Sequence, residues 1–442
     1  MTPLPPISTG AWYDERQIEL DVPESWQVRV HRPDLPPPMD DPAIKAAIND
    51  PLGMPPLREL AAGRRRPLLL VDDLTRPTPV GRILPHVLAE LERAGIAGSE
   101  VSIMCATGTH GPASREAILR KVGGAGSECR LLSHDDLGAS VRLGRTSFGS
   151  HVEVDPEVAR SDLLIGVGGI YPQNSAAFGG GAKMILGALS RRSIEDLHFG
   201  HPTDDGRYDI DNDFRRDVGE MARMAGLRFS VSAMVDEDRR LVWLQAGDHE
   251  AYYAGAVSEA KRMFSAPRPS HADVVIANAF PMDVSATFMY SKGVIPLTYA
   301  RPGASRILIA ACSEGIGHHG LFPLNRRRGL SADLTVLRRQ LRYSPRSVPR
   351  LVLNRARQVL RVGGATERSG PASPVASQPI ICFVTSNGSG LRQGDLPGMR
   401  LLEDWGAVTA AVVEEQEGRS DLQVDLYPCS PLQLMSRAPD AT

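Results

Sequence analysis

Two α/β domains with mostly parallel sheets, meeting at a cleft that holds the active site, are the architecture this sequence predicts. Three observations carry that prediction. Short apolar runs end repeatedly in acidic or glycine-rich loops, helical stretches separate them, and the segment APRPSHAD interrupts the alternation near Pro267. The 442 residues leave room for two or three domains of ordinary size. We therefore expect an N-terminal domain over residues 1–266 and a C-terminal domain over 267–442.

Residues 1–60 are proline-rich, with an apolar alternation near Trp26–Val30 that predicts a short strand and then an extended approach to the first domain. PLLLVD at 67–72 reads as a buried strand, followed by the loop DLTRPTP and a helix near Gly81–Ala94. SEVSIMC at 99–105 repeats the pattern, with ATGTHGP as its loop and a helix over Ser114–Lys121. LLSHD, VRLGRT and HVEVD read as short strands, and DLLIGVGGI at 162–170 as another buried one. A helical stretch covers Asp248–Phe264, and beyond the break ADVVIANAF, SRILIAAC and PIICFVTS are strong strands. The Arg-rich segment 323–350 reads as a solvated helical face or lid insertion, with an anion patch as the alternative. RSGPASPVASQ at 368–378 reads as a low-complexity loop.

Composition excludes several function classes. Fifty basic residues against 52 acidic ones give a net charge of −2, too little field for a general nucleic-acid binder. No apolar run approaches the roughly 20 residues that span a bilayer, so no membrane role is expected. The N-terminus lacks a basic region followed by an apolar stretch, so no secretory signal is predicted. The five cysteines are scattered and form no C-x-x-C pair, which predicts reduced thiols, a cytoplasmic protein and no zinc knuckle. Only five of the basic residues are lysines, namely Lys45, Lys121, Lys183, Lys261 and Lys292. In so Arg-biased a chain a retained lysine hints that an amine is wanted, since Lys can lose its proton and Arg cannot. Lys45, Lys121 and Lys261 fall in helical contexts that read as exposed.

In open α/β folds ligands bind at the carboxyl ends of strands, and three loops there are unusual. In Asp72–Pro79, Pro77 and Pro79 stiffen the chain around Arg76, a fork suited to a carboxylate, with Asp73 and Thr75 beside it. Thr107–Gly111 presents His110 where a general base could work; a plain surface histidine is the alternative. In Gly168–Lys183, the glycines Gly179, Gly180 and Gly181 allow close approach of a phosphate or nucleotide tail, with Lys183 in the first turn of a following helix; the alternative is a turn built for packing. His198 and His201 share one helical face, and Lys292 of MYSKG could face the cleft as a carboxylate partner.

Together, DLTRPTP, GTHGP, YPQNSAAFGGGAKMILGALS, SIEDLH, the lysine of MYSKG and PGASRILIAACSEGIG resemble the nickel-dependent lactate racemase family, the LarA-like 2-hydroxyacid racemases and epimerases. The resemblance spans roughly residues 65–320. It implies a nickel pincer cofactor, a pyridinium-3,5-bisthiocarboxylic acid mononucleotide, supplied by cofactor-synthesis enzymes. It implies further that Lys183 tethers this group through a thioamide and that His198 completes the nickel coordination. Arg76 and Lys292 would grip the substrate carboxylate, and His110 would act as acid/base. Asp73 and Thr75 would face cofactor or substrate. The C2 hydrogen of a 2-hydroxy acid is hard to remove as a proton, so it would leave as hydride, giving a 2-keto acid, and return to the opposite face. The pattern departs at Gln173, where the family carries a second histidine, and at Met289, where it carries a glutamine. Glutamine cannot exchange a proton at neutral pH, so a substrate larger than lactate is expected, such as a sugar acid, or a non-inverting oxidoreductase or lyase using the same cofactor. A non-catalytic cofactor binder is a further alternative. Tyr171, His134 and His201 are spare groups that could stand in for the missing base.

Overall fold

The computed structural model describes residues 1–173, 175–201, 208–322, 324, 379–386 and 388–436. Apart from Leu324, the Arg-rich 323–350 segment lies outside the described residues, as does the 368–378 loop.

Two six-stranded sheets organise the molecule. The first runs, in spatial order, Leu241–Gly247, Leu227–Val235, Leu163–Gly169, Pro67–Val71, Ser102–Cys105 and Arg130–Ser133. Every neighbouring pair in it is parallel except the edge pair Leu227–Val235 with Leu241–Gly247. The central strands are apolar along their whole length because helices cover both faces; all five residues of Pro67–Val71 are buried. The chain steps from Pro67–Val71 toward one edge, then returns to place Leu163–Gly169 on its other side. That reversal opens a crevice between the two strands' C-terminal ends. The loops Asp72–Pro79 and Gly168–Lys183 leave from those ends.

The second sheet orders Met399–Leu402, Ile380–Val384, Ser305–Ala310, Val274–Asn278, Gln423–Tyr427 and Gln27–Val30, all pairs parallel. Its last strand corrects the expected boundaries. Gln27–Val30 does not lead into the first domain but pairs with Gln423–Tyr427, and Leu4, Ile7, Leu20, Val22 and Trp26 pack in that sheet's core. An edge strand buries its apolar face wherever a sheet offers one, so this stretch belongs with the C-terminal half despite its place in the chain. The remaining elements match the sequence expectations closely: helices at Val80–Arg93, Arg115–Val122 and His249–Phe264, and strands at Val274–Asn278, Ser305–Ala310 and Ile380–Val384.

The helix expected at the glycine triplet is a 3-10 helix, Gly181–Ala188, with Lys183 in its first turn. It packs so closely on the Ala106 backbone that a Cβ at Gly187 would lie 2.3 Å from the Ala106 carbonyl oxygen. The slimmer helix fits that gap.

Candidate active site

A cavity of about 340 Å³ lies where the two halves meet. Asp73, Arg76, His110, Gln173, Gly179, Gly180, Lys183 and His198 line it from the first half, and Phe288, Ser291, Lys292 and His319 from the second. It thus gathers most of the residues singled out in the sequence.

The Asp72–Pro79 loop is built on its own side chains. Asp73 Oδ1 accepts the Thr75 N–H at 3.0 Å and also the Thr75 hydroxyl, which folds the loop back on itself. Asp73 Oδ2 lies 2.6 Å from His110 Nδ1. Burial alone would raise the Asp73 pKa, but His110, the Arg76 charge and the Thr75 hydroxyl outweigh it and hold the carboxyl below its usual range. Burial outweighs the aspartate at His110 and lowers the imidazole. The pair is therefore carboxylate and neutral imidazole: Nδ1–H donates to Asp73 and Nε2 is left as an acceptor. A buried aspartate that fixes a histidine's tautomer is the arrangement a general base needs. Asp73 is thus primarily the orienting partner of His110. Thr75, expected to face a ligand, does not border the cavity, because its hydroxyl is turned back to Asp73.

Arg76 lies between the rings of Tyr171 and Phe288, 5.5 Å from each centroid, and its buried Nη1 has no hydrogen-bond partner. No acidic side chain pairs with Arg76, Lys183 or Lys292 among the described residues. Burial, reinforced by the Arg76 charge, pushes Lys292 down to about 7 and Lys183 well below the usual lysine range. Three basic groups in one cavity, with no acidic side chain paired to them among the described residues, suit an anionic ligand. A lowered Lys183 pKa also leaves its amine free to act as a nucleophile.

The glycines behave differently from one another. Gly179 and Gly180 border the cavity, whereas Gly181 does not. With φ +58°, Gly181 turns its N–H to Ser232 Oγ at 3.4 Å, and a Cβ there would meet Tyr253 at 2.7 Å. The Gly179 N–H is likewise spent on the Tyr171 carbonyl at 2.8 Å. The triplet makes room for Tyr171 and Tyr253 more than for a phosphate.

His198, in the helix Arg191–Gly200, donates its Nδ1–H to the Ile194 carbonyl at 2.9 Å, which leaves the Nε2 lone pair available to a ligand. Burial lowers its pKa to about 4, so the ring stays neutral. No group of three or more His, Cys, Asp or Glu among the described residues could hold a metal ion. A metal at His198 would therefore take its other ligands from a bound organic group, which fits a pincer and does not fit an all-protein site. Of the spare bases, His134 is buried away from the cavity against Asp155 and the Leu189 carbonyl. His201 borders it but is held by Asp217 at 2.7 Å. Gln173 is in the wall and buried.

Sequence reasoning misplaced one residue and missed another. Lys121, read there as exposed, is fully buried under the Asp72–Pro79 loop. Its Nζ forms an ion pair with Asp72 at 2.6 Å and donates to the carbonyls of Asp73 and Arg76, each at 3.0 Å. Ile118, Lys121 and Val122 recur at helical spacing on one buried face, a signal that was available. His319 was the other; it follows the strand Ser305–Ala310 in a glycine-rich loop that reaches His110.

The fold and this cleft define an α/β protein built on two mostly parallel sheets. Residues 13–207 match the lactate racemase N-terminal domain. The chain is 27% identical to the lactate racemase of Lactiplantibacillus plantarum over 290 residues, covering 63% of this chain and 68% of that one. It is 28% identical to the lactate racemase of Thermoanaerobacterium thermosaccharolyticum over 295 residues, covering 63% and 67%. The apoprotein structure of a lactate racemase from the latter organism superposes with a TM-score of 0.69 at 20% identity, covering 98% of this chain and all of that one. A Thermotoga maritima protein superposes with a TM-score of 0.58 at 13% identity, covering 91% of this chain. The N-terminal part of the chain thus carries a lactate racemase N-terminal domain, and the chain is similar to lactate racemases over 63% of its length. No helix among the described residues is long and apolar enough to cross a membrane.

Proposed function

We propose that this chain is a cytoplasmic racemase or epimerase of a 2-hydroxy acid that works with a nickel pincer nucleotide. The observation that carries the reading is the basic set Arg76, Lys183 and Lys292, with no acidic side chain paired to it among the described residues, beside an aspartate-oriented histidine. Arg76 and Lys292 bind the substrate carboxylate, and the rings of Tyr171 and Phe288 keep the guanidinium plane in place. His110 Nε2 takes the proton of the C2 hydroxyl, and Asp73 stabilises the imidazolium that results. Lys183 and His198 hold the cofactor, which, when bound, supplies the acceptor and donor of hydride that no side chain can provide. Cofactor-synthesis enzymes are the implied partners.

Gln173 favours a second reading. It borders the cavity where a second proton-exchanging group would serve inversion, and it cannot exchange one. The substrate then either is larger than lactate or is oxidised or cleaved without inversion. Cofactor-loaded protein should be offered a series from lactate through glycerate to aldonates. The expected result is inversion of at least one member with the C2 hydrogen retained in deuterated water. Oxidation or cleavage without inversion across the series would select the second reading, and exchange of the C2 hydrogen with solvent would overturn the hydride route.

A further inference from the structure

His110 is not alone at the oxygen-handling end of the cavity. The ring of His319 borders the same space, edge-on to His110 with centroids 5.1 Å apart and an interplanar angle of 66°. It arrives from the second half of the molecule but is fastened to the first. The neighbouring Gly320 N–H donates to the Thr109 carbonyl at 2.6 Å, one residue before His110. Arg191, itself paired with Asp136, reaches the Gly320 carbonyl at 3.4 Å.

The hydrogen bonds of His319 decide its tautomer. The backbone N–H groups of Leu321 and Phe322 point at its Nδ1, at 3.3 and 3.4 Å, and the Thr109 hydroxyl lies 3.3 Å from the same atom. A ring nitrogen that accepts from backbone N–H groups carries no proton, so the proton of the neutral ring is on Nε2. His110 is the opposite case, since its Nδ1–H faces Asp73 and its Nε2 is bare. Adjacent rings thus offer the cavity one acceptor and one donor. An alcohol oxygen on its way to a carbonyl needs both: it gives up its proton to a base and takes a hydrogen bond as negative charge develops on it.

We propose that His319 is a second catalytic residue of this site, whose Nε2–H donates to the C2 oxygen of the hydroxy acid while His110 takes that oxygen's proton. The proposal rests on the 2-hydroxy-acid reading above. It also gives Gln173 less to do: the C2 oxygen is served by a donor and an acceptor without a histidine at that position.

The test uses His319→Ala and His319→Gln, the latter keeping an N–H donor at similar reach. In cofactor-loaded protein we expect H319A to lower kcat about 10²-fold with KM nearly unchanged, as loss of an oxyanion donor does, and H319Q to recover much of that loss. A second readout needs no cofactor. Calorimetry on the apoprotein should show pyruvate, whose C2 oxygen accepts, binding more tightly than propionate, which lacks that oxygen. H319A should erase the preference and H319Q restore it. An unchanged kcat in H319A, or a preference for pyruvate that survives the alanine, would overturn the proposal. So would a loss confined to KM for polyhydroxylated acids, which would make His319 a reader of the substrate tail. Should H319A fail to fold, H319Q decides alone: kcat and the pyruvate preference of the wild type support a donor, and loss of both sinks it. Failure of the wild-type apoprotein to bind either acid would instead defeat the carboxylate site at Arg76 and Lys292, and this proposal with it.

Discussion

The ground beneath the Asp72–Pro79 loop and the wall above it handle charge in opposite ways. Beneath, every charge has a partner: Lys121 pairs with Asp72, Asp72 Oδ2 also accepts from the Thr78 hydroxyl at 2.6 Å and the Gly169 N–H at 3.2 Å, and Asp73 holds His110. Above, Arg76, Lys183 and Lys292 are basic groups sharing one cavity with no carboxylate paired to them among the described residues. Buried charges that are paired hold a shape; buried charges left unpaired store affinity for something that is not part of the chain. The lower layer therefore serves position and the upper one binding, and substitutions in the two should fail in different ways.

The largest effects belong to the residues at the junction of the layers. Lys183→Arg keeps the charge but removes an amine that can react, so intact mass should show no cofactor adduct, with activity lost altogether. His110→Ala should leave the adduct in place and lower turnover by at least about 10³-fold. An adduct on the arginine variant, or full turnover in the alanine variant, would dissolve the distinction between holding and reacting. Next in size is the lower layer itself. Lys121→Met leaves Asp72 buried without its cation and should cost about 3–5 kcal/mol of stability by denaturant unfolding. Adding Asp72→Asn should recover much of that cost, because the orphaned charge is then gone. A Lys121→Met protein of wild-type stability would mean that the pair does not brace the loop.

How much of this the chain announces depends on how far apart the cooperating residues lie. The buried parallel strands are legible because a strand covered on both faces reads as an unbroken apolar run, as in Pro67–Val71 and Val274–Asn278. Arg76, His110 and Lys183 are legible because each stands in a loop whose composition is odd for packing alone. Gln27–Val30 is not, since its partner Gln423–Tyr427 is nearly four hundred residues away and nothing local distinguishes the two sheets as hosts. Lys121 hides inside an ordinary amphipathic helix, where a lysine reads as solvated unless the Ile118–Val122 spacing is weighed against it. His319 is silent because its role lies in the tautomer, which the backbone N–H groups of Leu321 and Phe322 set only once the loop is folded. Gly181 misleads in the other direction: a glycine triplet suggests a phosphate cradle, yet the third glycine is there for Tyr253.

The upper layer gives the smallest and most discriminating effect. Burial, with Arg76 alongside, brings Lys292 to about 7 in the folded protein, against about 10.4 in an unfolded chain. Between those values the unfolded chain binds more protons than the folded one, so the Lys292 contribution to stability rises with pH across that window; below about 7 the folded state carries the full penalty of the unpaired charge. Lys292→Met removes the penalty. The methionine variant of the apoprotein should therefore melt a few degrees above wild type at a pH of about 6.5, and the gap should narrow steadily toward a pH of about 10. Its affinity for propionate should be lower than wild type at the acidic end and nearly equal at the alkaline end, where wild-type Lys292 has lost its charge and Arg76 alone remains. A gap in melting temperature that does not depend on pH would show that Lys292 is not held at a cost, and the contrast between the paired and unpaired layers would then rest on Arg76 alone.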